Sequence, residues 1–349
     1  MKIFRHIKQR VYQWRQRFQP NGMILLYHRI TELQCDPQLL SVSPQHFEDH
    51  LQIITQFYRP HHLTNITQCL SLGHVLPRRS VIITFDDGYA DNLHHAKPLL
   101  EQYQIPATMF VSSGETDRSR EFWWDALEYI LLHPHHLPEH LELTIQGSAN
   151  SWSLGDAVRY PQDSYQCYRD WNVLHSDTPT LRHQLYRSLC SIFRCLPVNE
   201  RTAHLEALFQ WAGLEPTARL THCRLTPTEI PLLVTGGLIT IGAHTAHHLV
   251  LSTLSPEQQR QEIWQNKQQL ELLSGQSVEA FAYPYGTPGD YNQDSITILQ
   301  ELGFKAVCSN FPGLLTEKID RFQLPRFIVR NWPRDQFAHQ LQTWFKGEQ

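Results

Sequence analysis

The sequence predicts an α/β fold: a distorted (β/α) barrel of about seven parallel strands with a largely helical insertion. Short apolar runs alternate with amphipathic helical stretches from residue 23 onward, which is typical of a parallel sheet covered by helices. Setting aside the insertion leaves 237 of the 349 residues, close to the roughly 250 residues of a (β/α) barrel. The predicted strands are residues 23–27, 81–85, 107–111, 238–242, 280–283, 304–308 and 327–329.

This pattern divides the chain into four segments. The insertion is recognised by long helical patterns around a polar stretch, in contrast to the regular strand and helix alternation on either side. We expect a basic amphipathic N-terminal helix (1–22), the first part of the barrel (23–113), the helical insertion (114–225) and the second part of the barrel (226–349).

The first segment has apolar residues at alternating three- and four-residue steps, with lysines and arginines between them over residues 2–18. Such a helix can lie on an anionic membrane surface, or it can dock on its own domain. No apolar stretch is long enough for a signal peptide or a membrane span. We therefore expect a cytoplasmic protein, in peripheral contact with the cytoplasmic membrane face if the helix binds an anionic membrane.

The net charge and the cysteines limit the kinds of partner and site that the chain can have. The formal net charge of −4 lacks the basic footprint of a nucleic-acid binder, so no nucleic-acid partner is expected. The seven cysteines are scattered and never form a CxxC pair, which fits a reducing compartment better than a disulfide framework or a zinc knuckle.

Helix ends further along the chain have clear signals. Ser43 and Ser255 each precede a proline, which places an N-cap before a proline at the first helical position. Gly303 follows a helical run and leads directly into an apolar strand, as expected of a C-cap glycine.

The strand 81–85 ends in two adjacent carboxylates, Asp86 and Asp87, followed by Gly88. In parallel α/β folds the active site lies at the C-terminal ends of the strands. Two neighbouring acids can divide their work there, one binding a metal and the other acting as a base. The alternative is an Asp-Gly turn in which both acids are solvated.

The strand 238–242 runs into histidines. His244 and His248 are four residues apart, a spacing that places both on one face if the backbone turns helically, and imidazole is a common zinc ligand. Asp87 would complete a set of three ligands with one position open, the arrangement of a catalytic zinc site. His247 leaves the assignment ambiguous, and an HxxxH pair can arise by chance in a chain with 21 histidines.

A third strand end, residues 281–286 (FAYPYG), holds a turn that can present backbone N–H groups to a ligand. Together with residues 84–88 (TFDDG) and 242–248 (GAHTAHH), it resembles the polysaccharide deacetylase family, also called carbohydrate esterase family four, over most of the chain outside 114–225.

The resemblance implies a distorted (β/α) barrel and an enzyme that removes acetyl groups from N-acetylated sugars by hydrolysing the amide. It implies Asp86 as the catalytic base, and Asp87, His244 and His248 as ligands of Zn²⁺ or another divalent metal ion. Tyr285 falls where the family's motif supplies a backbone N–H to the oxyanion.

The chain departs from the family at two supporting positions. Ala282 stands where an arginine usually orients the base, and the last motif lacks its usual histidine, the general acid. Arg326 can restore the first role by reaching Asp86 from another strand end, unless it forms a surface or structural ion pair. His28 can serve as the acid, unless it is a hydrogen-bonded packing histidine. In the insertion, Trp123 and Trp124 could stack on sugar rings, but we expect core packing.

Three functions remain open. The first is N-deacetylation of a polysaccharide, oligosaccharide or glycolipid. The second is O-acetyl ester hydrolysis, which needs less help from an acid because an alcohol leaves more readily than an amine. The third is a non-catalytic carbohydrate-binding relative that retains the metal. Asp86 favours chemistry over binding, because it holds no metal in this scheme.

Overall fold

The computed structural model describes residues 22–71, 76–114, 120–316 and 319–347, without the side chains of residues 70 and 71. Residues 1–21 of the predicted N-terminal helix lie outside these ranges, so the helix stays a prediction, and Gly22 belongs to the first strand instead. The described part contains no helix that is long and apolar enough to cross a membrane.

The described residues form twelve strands, and eight of them belong to one parallel sheet. Seven follow one another in the order β11-β10-β9-β6-β5-β1-β12, and β4 pairs with β5 beside this path. The sheet curls into an incomplete barrel, which confirms the predicted fold class, and each predicted strand is found within two residues of its expected ends. The strands are β1 (Gly22–Tyr27), β2 (Arg29–Ile30), β3 (Ser41–Val42), β4 (Arg59–Pro60), β5 (Ser80–Phe85), β6 (Ala107–Val111), β7 (His140–Ile145), β8 (Ser148–Ser153), β9 (Ile239–Ala243), β10 (Ala280–Ala282), β11 (Ala306–Cys308) and β12 (Phe327–Ile328).

Helices cover the sheet and build the region between β6 and β9. The α-helices are α1 (Pro44–Phe57), α2 (Leu63–Ser71), α3 (Lys97–Gln102), α4 (Trp123–Leu132), α5 (Gln162–Tyr168), α6 (Leu181–Phe193), α7 (Val198–Ala212), α8 (Ile230–Val234), α9 (Pro256–Ser274), α10 (Gln293–Glu301) and α11 (Arg334–Phe345). The antiparallel hairpin of β7 and β8 accompanies the helices of this region and was not predicted.

The helix ends follow the local sequence. Ser43 Oγ accepts the N–H of His46 at the start of α1, and Ser255 forms a capping box with Gln258 at the start of α9. Gly303, just after α10, has a φ of +77°, which a glycine adopts without the strain that a Cβ would cause.

The barrel and the insertion have separate hydrophobic clusters. All six residues of β1 and of β5 are buried, as expected when helices cover both faces of a parallel sheet. A second cluster is built from residues of the insertion, including Trp123, Trp171 and Tyr186.

Residues 324–328 bring the two outer strands together. Leu324 forms a parallel bridge with Cys308 at the end of β11, and three residues later Phe327 pairs with Leu25 of β1. This segment therefore places Arg326 between the first and last parts of the sheet, at the mouth of the barrel.

Candidate active site

The ends of β5, β6 and β9 are tied together by hydrogen bonds. The Ser112 N–H donates to the Asp87 carbonyl at 3.3 Å, and Ser112 Oγ donates to the His244 carbonyl at 2.9 Å. Ser112 follows β6, which lies between the other two strands in the sheet. These contacts fix the carboxylate-bearing strand end relative to the histidine-bearing one.

The backbone at the site is strained. Asp87, His248 and Tyr285 have φ values of +77°, +53° and +60°, although none of them is glycine. Such conformations cost on the order of 1–3 kcal/mol each and persist only where the surroundings enforce them. A Cβ on Gly88 would lie 2.8 Å from Val111 Cγ1, so this turn requires a glycine for space as well as for its φ of +89°.

Asp87, His244 and His248 are buried and converge, and their ligand atoms lie within 4.8 Å of one another. Asp87 Oδ1 is 3.5 Å from His244 Nε2 and 3.3 Å from His248 Nε2. Two atoms that each bind a tetrahedral zinc ion at about 2.0–2.1 Å lie about 3.3–3.4 Å apart. The three side chains therefore fit a divalent metal ion.

His244 is oriented for this role by its other ring nitrogen. Nδ1 lies 2.7 Å from the Ala282 carbonyl and donates to it, so Nε2 is the ring nitrogen that faces Asp87 and is available to a metal. Asn266 Oδ1 accepts the His244 backbone N–H at 2.7 Å. The backbone and the ring of His244 are thus both held in place.

Burial and mutual contact shift the three pKa values. Burial alone would raise the pKa of Asp87, but its hydrogen bonds with the two imidazoles hold it well below its usual range. Burial lowers the pKa of His248 despite the Asp87 charge, whereas for His244 the Asp86 and Asp87 charges outweigh burial and raise it. An ionised carboxylate and neutral imidazoles are the forms that bind a metal.

His247, the alternative ligand, points elsewhere. Its Nδ1 lies 2.8 Å from Glu262 Oε1, and its backbone N–H donates to Glu262 Oε2 at 2.9 Å. Glu262 and Asn266 are four residues apart on α9, so one face of this helix holds His247 away from the cluster and positions His244 in it.

Asp86 binds the guanidinium of Arg326 bidentately. Arg326 Nη1 and Nη2 each lie 2.7 Å from one Asp86 carboxylate oxygen. Arg326 Nε donates to the Ser309 carbonyl at 2.8 Å, and both side chains are buried. Although burial would raise the pKa of Asp86, the charge and hydrogen bonds of Arg326 lower it, so this carboxylate stays ionised.

His28 and Tyr285 lie at the same cavity as the two acids. His28 is half-buried after β1, and burial lowers its pKa even though Asp87 and Asp86 act in the opposite direction. The Tyr285 ring packs edge-on against the His248 ring, with centroids 4.7 Å apart, and the Arg194 guanidinium lies 4.4 Å from the centre of the Tyr285 ring.

The cavity has a volume of about 620 Å³, and the insertion forms one of its walls. Leu174, Arg187 and Arg194 line this wall. They were not predicted, because nothing in the sequence indicates which insertion residues face the barrel. Trp123 and Trp124 are buried in the insertion core and also line the cavity. Trp124 Nε1 donates to the Tyr89 hydroxyl at 2.8 Å.

Two solved structures share this architecture. The Streptococcus pyogenes deacetylase PplD in complex with acetate superposes with a TM-score of 0.57 at 18% sequence identity, over 92% of this chain and 98% of that chain. IcaB from Ammonifex degensii gives a TM-score of 0.56 at 16% identity, over 94% and 97%. At these identities the likeness shows the fold.

Two curated relatives match shorter stretches. The Bacillus subtilis (strain 168) protein YxkH, whose name assigns it to the polysaccharide deacetylases, is 28% identical over 125 residues, which are 34% of this chain and 43% of YxkH. The poly-β-1,6-N-acetyl-D-glucosamine N-deacetylase of Escherichia coli (strain K12) is 27% identical over 89 residues, 25% of this chain and 13% of that protein. The chain thus spans less than half the length of either relative.

The family model described as polysaccharide deacetylase matches residues 74–146 and 203–307, which are 178 of the 349 residues. The two matched stretches include the TFDDG, GAHTAHH and FAYPYG strand ends. The gap between them falls within the insertion. The chain therefore belongs to the polysaccharide deacetylase family.

Proposed function

We propose that this protein is a metal-dependent deacetylase that hydrolyses the acetamide group of N-acetylated sugars. The observation that carries the proposal is the Asp86–Arg326 pair beside the metal-ligand cluster. A site that only binds carbohydrate has no need for a buried carboxylate that is oriented, kept ionised and left out of the ligand set. Hydrolysis needs such a group as a general base.

Each residue then has a defined task. A divalent cation held by Asp87, His244 and His248 would supply Lewis acidity and lower the pKa of a bound water. Asp86 accepts the proton of the attacking water, and Arg326 fixes the direction of its carboxylate.

Two further tasks fall to the other cavity residues. The backbone N–H of Tyr285, at the family's position for this role, stabilises the negative charge that develops on the acetyl oxygen. His28 protonates the departing amine, since it is the imidazole outside the ligand set that lines the same cavity.

The test is an assay of the full-length protein loaded with Zn²⁺. N-acetylglucosamine oligomers and acetyl esters are incubated separately, and both acetate and free amine are measured. The name of the Escherichia coli relative supports this choice of sugar. We expect amine release from the oligomers, and its loss in Asp86→Asn.

The other outcomes decide between the alternatives. Acetate release from esters alone would make the protein an O-acetyl esterase. Sugar binding without release of acetate from any substrate would make it a non-catalytic relative.

A further inference from the structure

Two of the arginines that line the cavity form no ion pair with a carboxylate of the described residues. The lining carboxylates are Asp86, which binds Arg326, and Asp87, which faces the two imidazoles. The lining arginines are Arg187, Arg194 and Arg330. Arg194 forms an ion pair of 2.5 Å with Asp290, so the excess charge lies on Arg187 and Arg330.

Arg187, on the insertion, is held by neutral groups. Its Nη2 donates to the His175 carbonyl at 2.6 Å, and its guanidinium lies 5.3 Å from the centre of the Trp171 ring. A carbonyl satisfies an N–H group but leaves the positive charge uncompensated. No carboxylate of the described ranges lies within ion-pair distance of Arg187.

Arg330, on the barrel, has the same kind of partner. Its Nη1 donates to the Leu39 carbonyl. Asp36 is the carboxylate whose charge reaches Arg330, but its oxygens accept the backbone N–H groups of Leu40 at 3.0 Å and Ser41 at 2.8 Å. Within the described part of the chain, Arg330 also has no ion pair.

The two arginines bind two loops that contact each other at the junction between the barrel and the insertion. Arg330 holds the barrel loop 36–40, and Arg187 holds the insertion loop 173–176. The Val173 N–H donates to the Pro37 carbonyl at 2.9 Å, and Gln38 Nε2 donates to the Tyr186 hydroxyl at 2.8 Å. The two cations therefore lie on either side of a hydrogen-bonded contact at the rim of the cavity.

We propose that the substrate is an N-acetylated sugar carrying an oxyanion, a phosphate or a carboxylate, which Arg187 and Arg330 bind at this junction. The inference rests on the proposed deacetylase function. A plain N-acetylated sugar is neutral and would leave both half-buried cations without an ion-pair partner, which is costly in a cavity closed by ligand. The planar guanidinium matches the geometry of phosphate and carboxylate oxygens.

The test compares matched neutral and anionic substrates on the full-length, Zn²⁺-loaded protein. Methyl N-acetylglucosaminide is compared with N-acetylglucosamine 1-phosphate, and di-N-acetylchitobiose with a disaccharide of N-acetylglucosamine and glucuronic acid. We expect kcat/KM to be about tenfold or more higher for the anionic member of at least one pair. The pair that shows the preference identifies the oxyanion as phosphate or carboxylate.

Variants separate charge recognition from loop positioning. Arg187→Gln and Arg330→Gln should bring the anionic-to-neutral ratio of kcat/KM close to one, and the Lys variants should restore part of it. Arg260→Gln, which removes an exposed ion pair with Glu301, is the matched control and should leave the ratio unchanged. Equal kcat/KM within both pairs, or equal losses on neutral and anionic substrates in the Gln variants, would overturn the inference.

A binding measurement keeps this inference distinct from the deacetylase proposal. If no substrate releases acetate, the deacetylase proposal fails. Calorimetry with N-acetylglucosamine 1-phosphate, the glucuronic acid disaccharide and their neutral partners then tests whether the cavity still prefers an anionic sugar. Tighter binding of an anionic sugar that is lost in Arg330→Gln would support the oxyanion site. Equal or undetectable binding of both members of each pair would refute it.

Discussion

The barrel and the insertion reach a buried core in different ways. The strands of the barrel are aliphatic runs such as β5, and its charged residues meet at the strand ends. The insertion instead buries charge inside its own core: Arg219 pairs with Glu121 and Glu128, each at 2.7 Å. The barrel can therefore lose a rim residue and keep its fold, whereas the insertion depends on polar contacts for its shape.

The largest expected effect is the loss of the metal. His248→Ala removes one of three candidate ligands while leaving the apolar strands intact, so metal content and activity should fall together and the circular dichroism spectrum should persist. Atomic absorption measures the metal. Unchanged metal content would disprove the ligand assignment, and an unfolded variant would contradict the division between rim and core.

Asp86→Asn should keep the metal and lose about 10²–10⁴-fold in kcat, because an amide cannot accept the proton of water. Steady-state kinetics combined with metal analysis checks both parts. A variant with near wild-type kcat would place the base on another residue.

Arg326→Ala should lower kcat less than Asp86→Asn and leave the metal bound. The guanidinium favours ionised Asp86, so its removal raises the pKa of that carboxyl. Activity needs the ionised form and is lost as the pH falls through this pKa. The acidic limb of the pH profile should therefore move to higher pH, and an unmoved limb would separate Arg326 from the base.

A substitution in the core of the insertion should lower the free energy of unfolding. The buried Arg182 donates to five backbone carbonyls, including Ala157 at 2.6 Å and His135 at 2.6 Å. Arg182→Met keeps the apolar stem but leaves these acceptors without a donor, which should cost on the order of 3 kcal/mol or more of unfolding free energy. Chemical denaturation measures it.

The exposed Arg169 in the same segment provides the control for this change. Arg169→Met should shift the unfolding free energy by less than about 0.5 kcal/mol. Equal stability of the two variants would show that the buried guanidinium is dispensable.

The difference between the apolar barrel strands and the polar contacts of the insertion explains which features could be predicted from the sequence. Short runs of apolar residues predict the strands. The rule that active sites lie at strand ends then locates Asp86, Asp87 and His244. The contact of Arg326 with Asp86 could be proposed because Asp86 follows β5 and Arg326 lies next to β12 of the same barrel, within reach of a long guanidinium side chain. The partners of Arg187 and Arg330 could not be predicted. They are backbone carbonyls of loops, and only tertiary packing decides which loops lie beside these arginines.

The order of the elements along the chain also matters during synthesis. Residues 324–328 pair with β1 and bridge to β11, and they leave the ribosome after both of those strands. Until then, both edges present unpaired backbone groups to other chains. The same residues carry Arg326, so Asp86 gains its guanidinium partner only when these edges can be covered. We therefore expect a nascent chain that ends before residue 324 to be prone to aggregate.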